Sequence, residues 1–139
     1  PMLLINPYGI DMGTNGLIIQ AQSREEIYTD KVIAFALRPN RLKHRDLWDM
    51  LWLHQQGLKP KIELIPKKLQ DRNVTQKYFL GLFDKRQKLL TKDKTLALEF
   101  KNEMKRFLSS EQIHKVIEQE NLWDFIVYLI NDLGNKIHQ

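Results

Sequence analysis

Lys31 sits in IYTDKVIAFAL and the pair Asp46/Asp49 sits in RDLWDMLWL, two segments that otherwise read as buried helix. Charges in such settings are costly unless they are paired or used in a site. Asp46 and Asp49 are three apart and share one side of a helix, and Arg45 lies four before Asp49. Leu47, Trp48, Met50, Leu51, Trp52 and Leu53 surround them, leaving little of this helix to face solvent. Two readings stay open. In the structural one, Arg45 and Asp49 pair within the helix, while Asp46 caps it or meets the favourable end of its dipole. In the functional one, Lys31 from a first helix and Asp46 from a second converge on a charged ligand. Lysine neutralises phosphate charge, and a carboxylate orients a metal or acts as a general base.

Other chemistry-bearing residues give weaker signals. His44 stands in KHRD, where it can touch phosphate or substrate or be an ordinary surface histidine. His54 is read as finishing the second helix. His114 and His138 have no companion at metal-ligand spacing, and the absence of HExxH and HxxxH patterns excludes a metalloprotease. No metal-ligand set is identifiable in the chain. Trp48 and Trp52, four apart, are read as core anchors rather than base-stacking residues. Gly13 to Gly16 satisfies neither GxGxxG nor a P-loop and is read as a turn. Cysteine is absent, which removes disulfides, thiol catalysis and thiolate metal sites and suits a reducing compartment.

The chain has 139 residues, 42% of them hydrophobic and 28% charged, enough for one domain with a real core. Its longest uninterrupted apolar runs, such as Phe125 to Ile130, are far short of the ~20 residues that span a bilayer. With no leader-like opening either, the expected location is the cytoplasm. The net charge of +5 is concentrated: residues 59–94 hold eleven Lys/Arg against four acids, while residues 1–58 balance six against six. Such a region fits a polyanionic partner or, equally, a solvated helical face. Arg38, Arg41, Lys43, His44, Lys67 and Lys68 are the candidates for contact with phosphate or nucleic acid.

These residues need elements to position them. Met2 to Ile5 and Leu17 to Ala21 are β-like runs separated by a turn signal with an Asn-Gly pair, which predicts a β-hairpin over residues 1–22. Two isolated strands are marginal in water, and the chain opens on Pro1 with no initiator methionine. Both points lead to the expectation that further sequence carrying more of a sheet precedes it. Residues 23–139 are expected to form a helical bundle of about five to six helices, so the class predicted is α+β, predominantly α. Ser23 with Glu26 has capping-box spacing and starts a helix to about Leu37, where Pro39 ends it. A second helix closes at Gly57 and Pro60, and Pro66 leaves a short helix or turn around Ile62 to Leu69. Asn73 or Thr75 caps a helix through Leu90, and Asp93 or Thr95 opens the next. Ser109 or Ser110 starts a last pair, Glu111 to Gln119 and Leu122 to Leu133, with Gly134 as the stop.

SREEIYTDKVIAFALRPNRLKHRDLWDMLWL resembles the EEI-x-x-x-K … R-x-x-RD-x-x-D segment of the AbiEii/AbiGii-type nucleotidyltransferase toxins, and FKNEMKRFL resembles a later helix of that family. The similarity is strongest over 17–57, weaker over 95–130, and spans about two thirds of the chain by order of elements. It implies a polymerase-β-like nucleotidyltransferase with a catalytic lobe of mixed α/β structure and a C-terminal helical lobe, the hairpin being the end of the catalytic sheet. It further implies that Lys31 contacts nucleotide phosphates, that Asp46 is the catalytic or orienting carboxylate, and that Arg45 and Asp49 support it.

The family's GS and DxD motifs, which bind triphosphate and magnesium, have no counterpart here, and Asp11 in GIDMG is a solitary acid. The expectation is therefore that Mg2+ and NTP belong to the intact enzyme and that this chain alone does not transfer nucleotides. Two functions follow. One is the C-terminal portion of a type IV toxin whose intact form moves an NMP from an NTP onto an acceptor such as tRNA, beside a cognate antitoxin. The other is a non-catalytic helical module that binds nucleic acid or a partner protein through the basic region.

Overall fold

The structure, a computed structural model, describes residues 23–139. Every regular element among them is helical, with no strand. This corrects the α+β class for the described residues; the hairpin expected over 1–22 lies outside them. The helices are α1 (Arg24–Leu37), α2 (His44–Gln55), α3 (Ile65–Asp71), α4 (Gln76–Lys92), α5 (Leu96–Lys105), the single turn α6 (Ser110–Gln112) and α7 (Leu122–Ile137). A short 3-10 turn, Ile62–Leu64, precedes α3, and a π-helical turn, Ile113–Ile117, follows α6.

Local chemistry explains most boundaries. The Ser23 hydroxyl accepts from the Glu26 N–H at 3.1 Å and starts α1. The reciprocal half of the expected capping box is replaced by a long-range contact, since the Glu26 carboxylate accepts from Lys68 Nζ at 3.0 Å. Pro39 forces Arg38 into an extended conformation, ψ 133°, and so ends α1. Gly57, at φ +80°, adopts the left-handed conformation that closes α2. Pro66 lies in the first turn of α3, where its missing N–H costs nothing, so it opens that helix rather than interrupting it. Thr75 caps α4 through the Tyr78 N–H at 3.1 Å. The Asp93 carboxylate takes both the Thr95 N–H and hydroxyl ahead of α5, and Ser109 and Gln112 complete a capping box.

Gly134 does not stop α7, which runs to Ile137. It is buried against α4, and a Cβ there would come 2.6 Å from Gln87 Oε1. The glycine permits a close helix crossing, which Gln87 reinforces by donating to Asn131 Oδ1 at 2.8 Å. Helix α1 packs on α2 and α4, α4 on α7, and α2 on α5. Between them lies a core built on Tyr28, Phe35, Phe79, Phe83, Phe100 and Met104. Phe35 and Phe83 meet edge to face at 5.3 Å, joining α1 to α4. Trp48 packs partly buried on this core, as expected of an anchor, but Trp52 is 42% exposed. A four-residue step advances 40° around a helix, enough to carry Trp52 out of the seam.

Candidate functional site

The Lys31 and RDLWD segments meet because α1 and α2 pack side by side through a six-residue turn. Lys31 Nζ lies 2.9 Å from Asp49 Oδ2 and 3.6 Å from Asp46 Oδ1, bridging both carboxylates across the helix pair. Asp46 is 1% exposed. Its burial is made tolerable by Arg38, whose Nε donates to Oδ2 at 2.8 Å and whose terminal nitrogen donates to Oδ1 at 3.1 Å. That bidentate fork is the strongest geometry available to a carboxylate–guanidinium pair. The hydrogen bond from Arg38 to Asp46 also raises the Arg38 pKa above its ordinary value. Asp46 stands in the first turn of α2, where the helix dipole favours its charge.

Arg86 on α4 completes the arrangement, and no sequence signal at the Lys31 or RDLWD segments points to it. Its guanidinium is buried and donates to the Phe35 carbonyl at 2.8 Å and to the Arg38 carbonyl. These are backbone acceptors at the end of α1, so one side chain fixes the place from which Arg38 reaches Asp46. Burial lowers the Arg86 pKa, and the charge of Asp46 opposes that shift. A lone arginine on the apolar stripe of a helix, between Phe83 and Leu90, is the trace it leaves in the sequence.

The structure does not bring Arg45 onto Asp49. Asp49 is taken by Lys31, and Arg45 points away from it, its guanidinium 4.7 Å from the centre of the Phe107 ring. The structural reading that paired Arg45 with Asp49 fails for the same reason. Among the candidate phosphate contacts, Arg38 is committed to Asp46, and Lys68 is drawn onto α1 by Glu26 and Asp30, each at 3.0 Å. Burial works against the Lys68 charge, but its hydrogen bonds to Asp30 and Glu26 outweigh that and raise its pKa. Lys67 is exposed beside Asp71 at 3.5 Å. Arg41, Lys43 and His44 instead line a cleft of about 590 Å³ between the α1–α2 turn and α5. There Arg41 donates to Glu99 Oε1 at 2.8 Å.

A family model described as nucleotidyl transferase AbiEii toxin of type IV toxin–antitoxin systems matches residues 2–128. The chain belongs to the AbiEii nucleotidyl transferase toxin family. No curated protein and no solved structure matches it. The match takes in α1 to α6 and the first part of α7 as well as the Lys31 and RDLWD segments, a wider span than the motifs alone indicate.

The AbiEii family is one of nucleotidyltransferases, whose chemistry calls for an NTP and a divalent metal. The described residues do not fit the metal. No group of three or more His, Cys, Asp or Glu among them is placed to hold one. Both Asp46 oxygens are already occupied by Arg38. Lys31 is ion-paired with the two carboxylates, at 2.9 Å to Asp49 and 3.6 Å to Asp46, while its side chain remains 29% exposed. Among the described residues no helix is long and apolar enough to cross a membrane.

Proposed function

We propose that α1 and α2 form one wall of a nucleotidyltransferase pocket, and that the intact protein transfers an NMP from an NTP to an acceptor such as tRNA. The observation that carries this reading is the Lys31 ammonium held between Asp46 and Asp49, within the segment that matches the family. In this transfer an acceptor hydroxyl attacks the α-phosphorus and releases its proton to solvent, a new P–O bond forms, and pyrophosphate leaves as the bond to the bridging oxygen breaks. Such displacement needs charge neutralisation and positioning more than covalent chemistry. Lys31 supplies the positive charge. Asp46, saturated by Arg38, acts as an orienting carboxylate that fixes Lys31 and the α1–α2 turn, not as a base. The metal that the family uses would be held by residues other than these.

The test is transfer of labelled nucleotide to tRNA by the full-length protein, set beside thermal melting of the same variants. Lys31→Ala is expected to abolish transfer while melting near the parent, because the lysine is partly exposed and Asp46 keeps Arg38. Asp46→Asn is expected to lose transfer and stability together. If Lys31→Ala transfers label like the parent, the array is structural only and the reading is wrong. A second reading, a non-catalytic module that binds nucleic acid or an antitoxin, is favoured by the exposure of Lys59, Lys61, Lys77, Lys85, Lys88 and Lys92. It predicts salt-sensitive binding without label transfer.

A further inference from the structure

The N-terminal end of α2 carries three features that the Lys31–Asp46 network does not use. Its cap residue, Lys43, gives no side-chain hydrogen bond to the first-turn N–H groups, leaving the positive end of the helix without a side-chain cap. That end opens into the cleft of about 590 Å³, on which Arg41, Lys43 and Arg106 stand exposed. In the cleft wall His44 is nine-tenths buried, and neither of its ring nitrogens has a hydrogen-bond partner. A buried imidazole without partners is costly, and such groups call for a reason. Glu99 Oε1 stands 3.6 Å from His44 Nε2, beyond hydrogen-bond reach, while accepting from Arg41 at 2.8 Å.

We propose that this cleft is a phosphate-binding site, which the Glu99 carboxylate fills as an internal anion until a phosphate group displaces it from Arg41 and His44. A guanidinium recognises carboxylate and phosphate with the same fork, so the two compete for Arg41 directly. A phosphate group has more acceptor oxygens than a carboxylate, and a terminal phosphate also has more charge, so it can reach Arg41, Lys43 and the helix N–H groups together. Once Glu99 swings away, His44 gains an acceptor it lacks. The exchange is easy because Arg41 and Glu99 are 65% and 43% exposed, and an exposed ion pair is held only weakly. Glu103, paired at 3.6 Å with the exposed Arg106, is the other acid on the cleft and opens in the same way. The volume exceeds that of one phosphate, so the group arrives on a nucleotide or on a link of a nucleic-acid strand. This deepens the proposed function by seating a phosphate beside Arg38, and it rests on that reading for its place in a reaction but not for binding itself.

The experiment titrates the isotope-labelled full chain with inorganic phosphate, AMP and a short single-stranded RNA at constant ionic strength, with chloride as the control. The readouts are the His44 imidazole and Arg41 side-chain NMR signals and the fitted Kd. Phosphate-bearing probes are expected to shift both signals where chloride does not. Arg41→Ala and Lys43→Ala, both at exposed positions, should bind about tenfold more weakly, and Glu99→Gln should bind several-fold more tightly. Equal affinity for AMP and RNA assigns the site to a single nucleotide; affinity that climbs with strand length and falls with salt assigns it to a strand. The proposal is overturned if no probe moves His44 and Arg41, or if Glu99→Gln binds no more tightly than the parent. Phosphate binding by a protein that transfers no label would sink the proposed function and leave this site standing; transfer without this binding would do the reverse.

Discussion

The α1–α2 wall and the basic segment 59–94 both carry clustered charge, and they use it in opposite ways. In the wall, Lys31, Arg38, Asp46 and Asp49 neutralise one another across two packed helices, with Asp46 buried at the centre. In the basic segment most lysines face solvent, but three of its eleven cations are drawn to α1: Lys68 and Arg72 to its carboxylates and Arg86 to its carbonyls. A count of positive residues therefore overstates what the segment offers a polyanion. It also understates what the segment does for the wall, because Arg86 holds the turn on which Arg38 depends.

Four experiments break or sharpen this contrast. The largest effect is expected at Asp46. Removing it strands Arg38 and Lys31 without their shared partner, and because those cations are about a third exposed the loss should fall near the low end for a buried pair, about 3 kcal/mol by denaturant unfolding. Next comes Arg86→Met, which deprives two carbonyls at the end of α1 of their donor and should cost about 2 kcal/mol. If Arg86→Met is as stable as the parent, the basic segment does not support the wall and the two regions are independent.

Lys68→Met should lose about 1 kcal/mol, whereas Lys67→Met, one residue away and exposed, should lose almost nothing. The Lys68 contribution also has a sign in pH. Its folded pKa is raised above 10.5, so its stabilisation is complete below that value and is lost as pH rises through the folded pKa. Parent and Lys68→Met should thus converge in strong alkali; a difference that persists there would assign the effect to packing. The smallest change in stability belongs to glutamine at Lys77, Lys85, Lys88 and Lys92 together, within about 0.5 kcal/mol of the parent. Their value lies in binding: the salt dependence of RNA affinity should flatten by about 0.7 for each phosphate that a lysine no longer neutralises. An unchanged slope would mean that α4 does not face the nucleic acid.

The helices are legible because their signals are local. Ser23, Thr75 and Ser109 cap where their spacing says they should, and Pro39 ends α1 through its effect on the residue before it. Gly134 reads wrongly as a stop because a glycine near a helix end looks the same whether it terminates the helix or lets another helix approach. Arg45 reads wrongly as a partner because its spacing to Asp49 fits an intrahelical pair, yet Lys31 on the neighbouring helix claims that carboxylate first.

By itself the sequence determined the run of helices, the family, and the pairing of one lysine with an RDxxD segment as the place where charge and apolar surface conflict. Periodicity, caps and motif spacing act over a few residues, and a linear chain displays them. Only the tertiary structure decided who partners whom: Arg38 with Asp46, Lys31 between two aspartates, Arg86 from 48 residues away on the Arg38 carbonyl, and Glu99 over His44. Those choices depend on which helix faces pack, and an ion pair across a helix interface is set by that packing rather than by the distance along the chain.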